Sequence, residues 1–96
     1  MSPVHAHHEA QLIVEAGKSG TVRLDMHPLP IMATIVHVIS QSSRVALVCI
    51  PLGGGAIIRI PFPTAGIFQY EATAQTITIF NNADLQHTFE VTILYG

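Results

Sequence analysis

The sequence predicts an all-β protein, a single small β-sandwich of jelly-roll or related Greek-key type with about eight strands. No stretch of a dozen residues repeats apolar positions with the period of a helix. Instead, apolar and polar residues alternate, and turn-forming residues recur about every 8 to 12 positions. The length of 96 residues corresponds to one domain. A two-domain enzyme with a cleft between lobes is therefore excluded.

The first two predicted strands are residues 10–16 and 21–26. In the first, Ala10, Leu12 and Val14 alternate with neighbours that face the other side of the strand. The second strand alternates in the same way. Because residues 17–20 form a short Gly-containing segment, we expect a tight turn that joins the two strands in a hairpin.

The remaining strands fall into two classes. Residues 31–40 and 45–52 are apolar on both faces and rich in β-branched side chains, which predicts strands that are covered on both sides. Residues 57–62, 67–73 and 76–80 predict short strands. The last predicted strand, residues 85–95, alternates most clearly, and its apolar face carries Leu85, His87, Phe89, Val91, Ile93 and Tyr95.

Composition indicates association with a partner. Charged residues make up 10% of the chain, against about 25% in an average soluble domain. Hydrophobic residues make up 49%, and the mean hydropathy is +0.47. Since a domain of this size buries only about 60 to 65% of its unfolded surface, we expect a homo-oligomer to bury the rest. A homotrimer is the predicted number, by analogy with small β assembly proteins.

Charge and cysteine content exclude several classes of protein. The net charge is −2, and the four Lys and Arg residues are scattered, so no basic patch for nucleic acid or membrane lipid is expected. The single cysteine, Cys49, excludes an intramolecular disulfide and a Cys-rich zinc site. The longest apolar stretch is interrupted by Pro51 and three glycines, so we expect no membrane span. The N-terminal residues lack a signal-peptide pattern, which favours synthesis in the cytoplasm.

No motif predicts an enzyme, a catalytic residue or a bound cofactor. The Gly17-Lys18-Ser19 segment resembles the end of a phosphate-binding loop, but Leu12 occupies the position where that motif needs glycine. No serine lies in a G-x-S-x-G context. Cys49, within an apolar strand, is expected to be inert as a nucleophile.

The N-terminal segment, residues 1–9, is predicted to be an arm, with the sandwich domain spanning residues 10–96. His5, His7 and Glu9 share one face of an extended backbone, the spacing of a conceivable metal patch. A terminal arm is preferred, because a rigid ligand set is hard to hold at a terminus. We expect Val4, His5 and His7 to contact a neighbouring subunit or a platform protein by adding to a sheet edge.

The predicted function is that of a structural assembly protein, such as a decoration (cement) subunit on the surface of a virion. Its partners would be copies of itself and a larger capsid or shell protein. The alternative is a ligand-binding or adhesion module that acts through its loops. A metal-dependent enzyme that uses the histidines is the third hypothesis.

Overall fold

The computed structural model describes residues 6–24, 31–39, 45–49, 58–73 and 75–95. Within them the chain forms eight strands and no helix. The strands are β1 (Ala6–Val14), β2 (Ser19–Arg23), β3 (Ile31–Val38), β4 (Val45–Cys49), β5 (Ile58–Ile60), β6 (Phe68–Ala72), β7 (Thr76–Asn81) and β8 (His87–Tyr95).

The strands form two antiparallel sheets. The five-stranded sheet has the order β1-β8-β3-β4-β5, and the three-stranded sheet has the order β2-β7-β6. Strands β3, β4 and β5 are consecutive neighbours, and β8 lies between β1 and β3. The predicted all-β sandwich is therefore confirmed.

The core lies between the two sheets and is centred on β8. Phe89, Val91 and Ile93 have no exposed surface, and Tyr95 is 1% exposed. The three-stranded sheet contributes Ile77 and Ile79, which are also fully buried. This pattern is the one that the alternation of the last predicted strand indicated, although β8 begins at His87 and Leu85 is exposed.

An aromatic cluster fills one end of the core. The rings of Phe68 and Phe89 meet edge to face with centroids 5.4 Å apart. Phe62 lies 6.1 Å from Phe68 and 6.3 Å from Phe89, between centroids. The ring of His87, which is half-buried, meets Phe68 edge to face at 4.9 Å. His87 therefore packs at the edge of the core.

The hairpin predicted for the first two strands is wrong. β1 pairs with β8 in one sheet and β2 pairs with β7 in the other, so the turn between them connects the two sheets. Gly17 adopts a φ of 71°, and its N–H donates to the carbonyl oxygen of Asn81. The turn is thus hydrogen-bonded to the end of β7. The side chain of Leu12 in β1 packs against Gly20 in β2, so the two sheets are in contact here.

Strand β1 begins at Ala6, four residues before the predicted start. Its register with β8 runs without a break from Ala6 opposite Tyr95 to Val14 opposite His87. Residues 6–9, the described part of the predicted arm, therefore belong to this strand in the five-stranded sheet.

Candidate functional site

The outer face of the five-stranded sheet carries apolar side chains on three adjacent strands. Val36 and Val38 of β3 point into the core, so Ile35 and His37 lie on the outer face. Register places Leu47 of β4 beside Ile35, and Ile60 of β5 beside Leu47. The outer-face patch is defined as Ala33, Ile35, Ile39, Val45, Leu47 and Ile60.

The outer-face patch leaves large apolar side chains in contact with solvent. Ile39 is 42% exposed, Val45 is 38% exposed and Ile60 is 48% exposed. The sequence predicted that β3 and β4 are covered on both sides. Within the described residues only the inner face is fully covered, since Val36, Val38 and Ala46 have no exposed surface.

Beside the patch, the outer face is mainly polar, and its apolar side chains are Leu94 of β8 and Ile13 of β1. β8 and β1 contribute Glu90, Gln11 and threonines to this half of the sheet. Glu90 lies directly opposite His37 of β3 in the ladder, at the boundary between the apolar and polar halves. The patch therefore reaches the β5 edge of the sheet on one side and meets mainly polar groups on the other.

The predicted contact residues lie at the start of β1 or outside the described structure. Val4 and His5 lie outside the described residues. His7 and Glu9 share the outer face of β1, and the His7 Nε2 lies 4.0 Å from a carboxylate oxygen of Glu9. Their side chains are 64% and 58% exposed, so both groups are open to solvent in one chain.

A side cleft of about 420 Å³ lies along β6, where the two sheets approach each other. Aromatic side chains line much of it, and Arg59 and Glu71 supply one charge of each sign. The Tyr70 hydroxyl donates to the Ile60 carbonyl oxygen at 2.8 Å, and the Arg59 guanidinium donates to the Ala72 carbonyl oxygen at 2.9 Å. These bonds join β5 to β6 and hold the cleft in shape.

This cleft was not predicted from the sequence. Arg59 and Tyr70 are separated in the chain and belong to different sheets, so only the topology brings them together. The one sequence signal was the charge of Arg59 within an otherwise apolar stretch.

The other features that the sequence offered are a metal patch, an apolar stretch and two glycine-containing segments. Among those residues, no three His, Cys, Asp or Glu side chains lie close enough to hold a metal ion. No helix there is long and apolar enough to cross a bilayer. The Gly17-Lys18-Ser19 segment forms the turn into β2, and the triple glycine at residues 53–55 lies outside the described residues.

Comparison with known proteins finds no matching family model, no similar curated protein and no similar solved structure. The function is therefore inferred from the geometry of this chain alone.

Proposed function

We propose that this protein is a structural assembly subunit that packs against copies of itself. The observation that supports this proposal is the outer-face patch. In a single copy of the chain, three strands of this patch expose apolar side chains to solvent. Decoration of a larger shell, such as a virion capsid, is the role that suits a small sandwich of this kind. The small number of charges, 10% of residues, also favours association.

A second copy is the favoured occupant of the patch. A symmetric interface uses the same surface on both subunits, so an apolar patch can cover its own copy without a separate partner. A two-fold arrangement can also bring His37 of one copy towards Glu90 of the other, where an imidazole N–H can donate to the carboxylate. Covering the patch would also bury the second face of β3 and β4.

Introducing a charge into the patch tests the proposal. Ile60→Lys is expected to weaken self-association at least about tenfold, a cost of about 1.4 kcal/mol, because the ammonium must be desolvated when the interface forms. Ile60 is 48% exposed, so the folded chain accommodates the longer side chain. Sedimentation equilibrium over a range of protein concentrations measures the change in mass.

Ile67→Lys is the matched control, since Ile67 is 47% exposed but lies before β6, outside the patch. This control should associate as tightly as the wild type. Equal loss of association in both variants would show that general surface charge matters, and unchanged association of Ile60→Lys would overturn the patch as an interface. A wild-type chain that stays a 10.3 kDa monomer would overturn the proposed function.

The side cleft supports a second candidate function, a binding module for small aromatic ligands. Its volume of about 420 Å³ falls within the range of ligand sites, about 300 to 1,000 Å³. Of its aromatic side chains, Phe80 and Tyr70 are half-buried and supply ring surface, and Arg59 supplies a cation at the same cleft.

For this second function, Phe80→Ala is expected to weaken binding of a small aromatic acid about tenfold. The reason is that the variant loses a ring contact that contributes about 1 kcal/mol or more to binding. Chemical-shift titration with a series of such acids measures it, with Ile67→Ala as the control outside the stacking surface. Absence of saturable shifts at the cleft for every acid would exclude this function, and it leaves the assembly proposal unaffected.

A further inference from the structure

The four edges of the two sheets differ in how well they are protected against pairing with another strand. β5 has three residues, and β2 and β6 have five residues each. β2 contains Gly20 and Arg23, β6 contains Glu71, and the Arg59 side chain of β5 bonds to β6. Short strands, charges and covering groups are the usual devices against edge pairing.

Of these devices, strand β1 carries only the charge of Glu9. It has nine residues, contains no proline, glycine, lysine or arginine, and pairs with β8 without a bulge. Its outer-face side chain nearest the turn, Ile13, is 63% exposed. In the described structure β1 pairs only with β8, so the opposite edge of the strand is available for pairing.

The ladder shows which backbone groups lie at this free edge. The Ile39 N–H donates to the Thr88 carbonyl oxygen, so Thr88 directs its backbone groups towards β3. Alternation along β8 then directs Val91 towards β1, where it pairs with Ala10. By the same alternation, the backbone groups of His7, Glu9, Gln11 and Ile13 point to the free edge.

We propose that the free edge of β1 pairs antiparallel with β1 of a second copy, around a two-fold axis at Ala10. This pairing joins the two five-stranded sheets into one continuous sheet. The inference rests on the proposed function, self-assembly, and names one interface that supplies it. The outer-face patch is a separate contact on the same subunit, so the edge pairing enlarges the assembly that the patch holds.

The axis at Ala10 is the register that the side chains favour. It places every residue of Ala6–Val14 opposite a residue of the second copy, with the small Ala10 side chains meeting at the axis. Glu9 then lies opposite Gln11 of the second copy, a carboxylate facing an amide. An axis at Glu9 would place two carboxylates directly opposite each other, which destabilises a cross-strand pair.

Disulfide cross-linking tests the register. In a chain carrying Cys49→Ala, Ala10→Cys is expected to form a disulfide-linked dimer under mild oxidation, because residues opposite each other at the axis lie within disulfide distance. Ile13→Cys is the matched control, since its side chain is more exposed but lies about 20 Å from its own copy in this register. Cross-linking at Ile13 alone, or at neither position, would overturn the proposal.

A proline substitution tests the backbone pairing without new cysteines. Gln11→Pro removes an N–H that points to the free edge, whereas Gln11→Thr keeps it. The proline variant is expected to fall to the mass of the assembly that the patch holds alone, as measured by sedimentation equilibrium, while the threonine variant keeps the wild-type mass. Both should show the far-ultraviolet circular dichroism of the wild type.

The outcomes separate this inference from the proposed function. A wild-type chain that is monomeric overturns both. A wild-type oligomer whose mass is unchanged by Gln11→Pro, with no Ala10→Cys dimer, overturns the edge pairing and leaves self-assembly through the patch in place.

Discussion

Replacing Phe89 with alanine is expected to lower the free energy of unfolding by about 3 to 5 kcal/mol. The Phe89 side chain has no exposed surface, and its ring meets Phe68 edge to face at 5.4 Å. The substitution leaves a cavity between the sheets, where β8 lies at the centre of the core, and removes favourable ring contacts. Urea denaturation followed by circular dichroism measures the loss.

Phe80→Ala provides the matched control for this prediction. Phe80 is half-buried and lies on the outward face of β7, so its removal is expected to cost about 1 kcal/mol. If Phe89→Ala is too unstable to purify, Phe89→Leu is expected to lose about 1 to 2 kcal/mol. Equal losses at Phe89 and Phe80 would contradict the assignment of the core to the inner face of β8.

The alternation of apolar residues predicted much of the fold. In β8, side chains on one face of the strand are Phe89, Val91, Ile93 and Tyr95, and all four are buried in the structure. The period of two is a local property of an extended backbone, so it can be seen in the sequence without knowledge of the partner strand. The strand count and the all-β class follow from the same local pattern.

The pairing of strands could not be predicted in the same way. The turn around Gly17 was expected to join β1 and β2 in a hairpin, but β1 pairs with β8 at the other end of the chain. A short sequence specifies that the chain turns, whereas the choice of partner depends on contacts between residues far apart in sequence. Here Leu12 packs over Gly20 across the two sheets, and the turn itself bonds to Asn81.

The candidate sites show the same limit. The shared face of His7 and Glu9 was predicted from their spacing, and the structure places them 4.0 Å apart on that face. The side cleft was missed because Arg59 and Tyr70 come together through the packing of two sheets. The exposure of the outer-face patch also could not be predicted from the sequence of β3. Because β3 is apolar on both faces, its sequence predicted that other parts of the protein cover both faces.

Polar residues in the core were the least predictable from sequence. The predicted strand ended at residue 80, but Asn81 is the last residue of β7 and is fully buried. The hydroxyl of Thr34 is also buried, and no hydrogen-bond partner for it occurs among the described residues. Asn81, by contrast, satisfies its side-chain amide through three bonds to the backbone.

Asn81→Ala is expected to lower the free energy of unfolding by about 2 to 4 kcal/mol. The Asn81 side-chain amide donates to the carbonyl oxygens of Val14 and Leu85, both at 2.9 Å, and its oxygen accepts from the Ala83 N–H at 2.9 Å. Alanine removes all three bonds and leaves backbone groups near the core without these partners, which costs more than the bonds themselves contribute.

Asn81→Asp separates hydrogen bonding from side-chain volume. The carboxylate has nearly the same shape, but it cannot donate to Val14 and Leu85, and its negative charge would be buried. We therefore expect it to destabilise the fold at least as much as alanine does. Asn82→Ala is the neighbouring control, since Asn82 is exposed and makes one side-chain bond to Gly66, so its loss should be below about 1 kcal/mol. An Asn81→Asp variant as stable as the wild type in urea would show that the amide donors do not hold β1 to the end of β7.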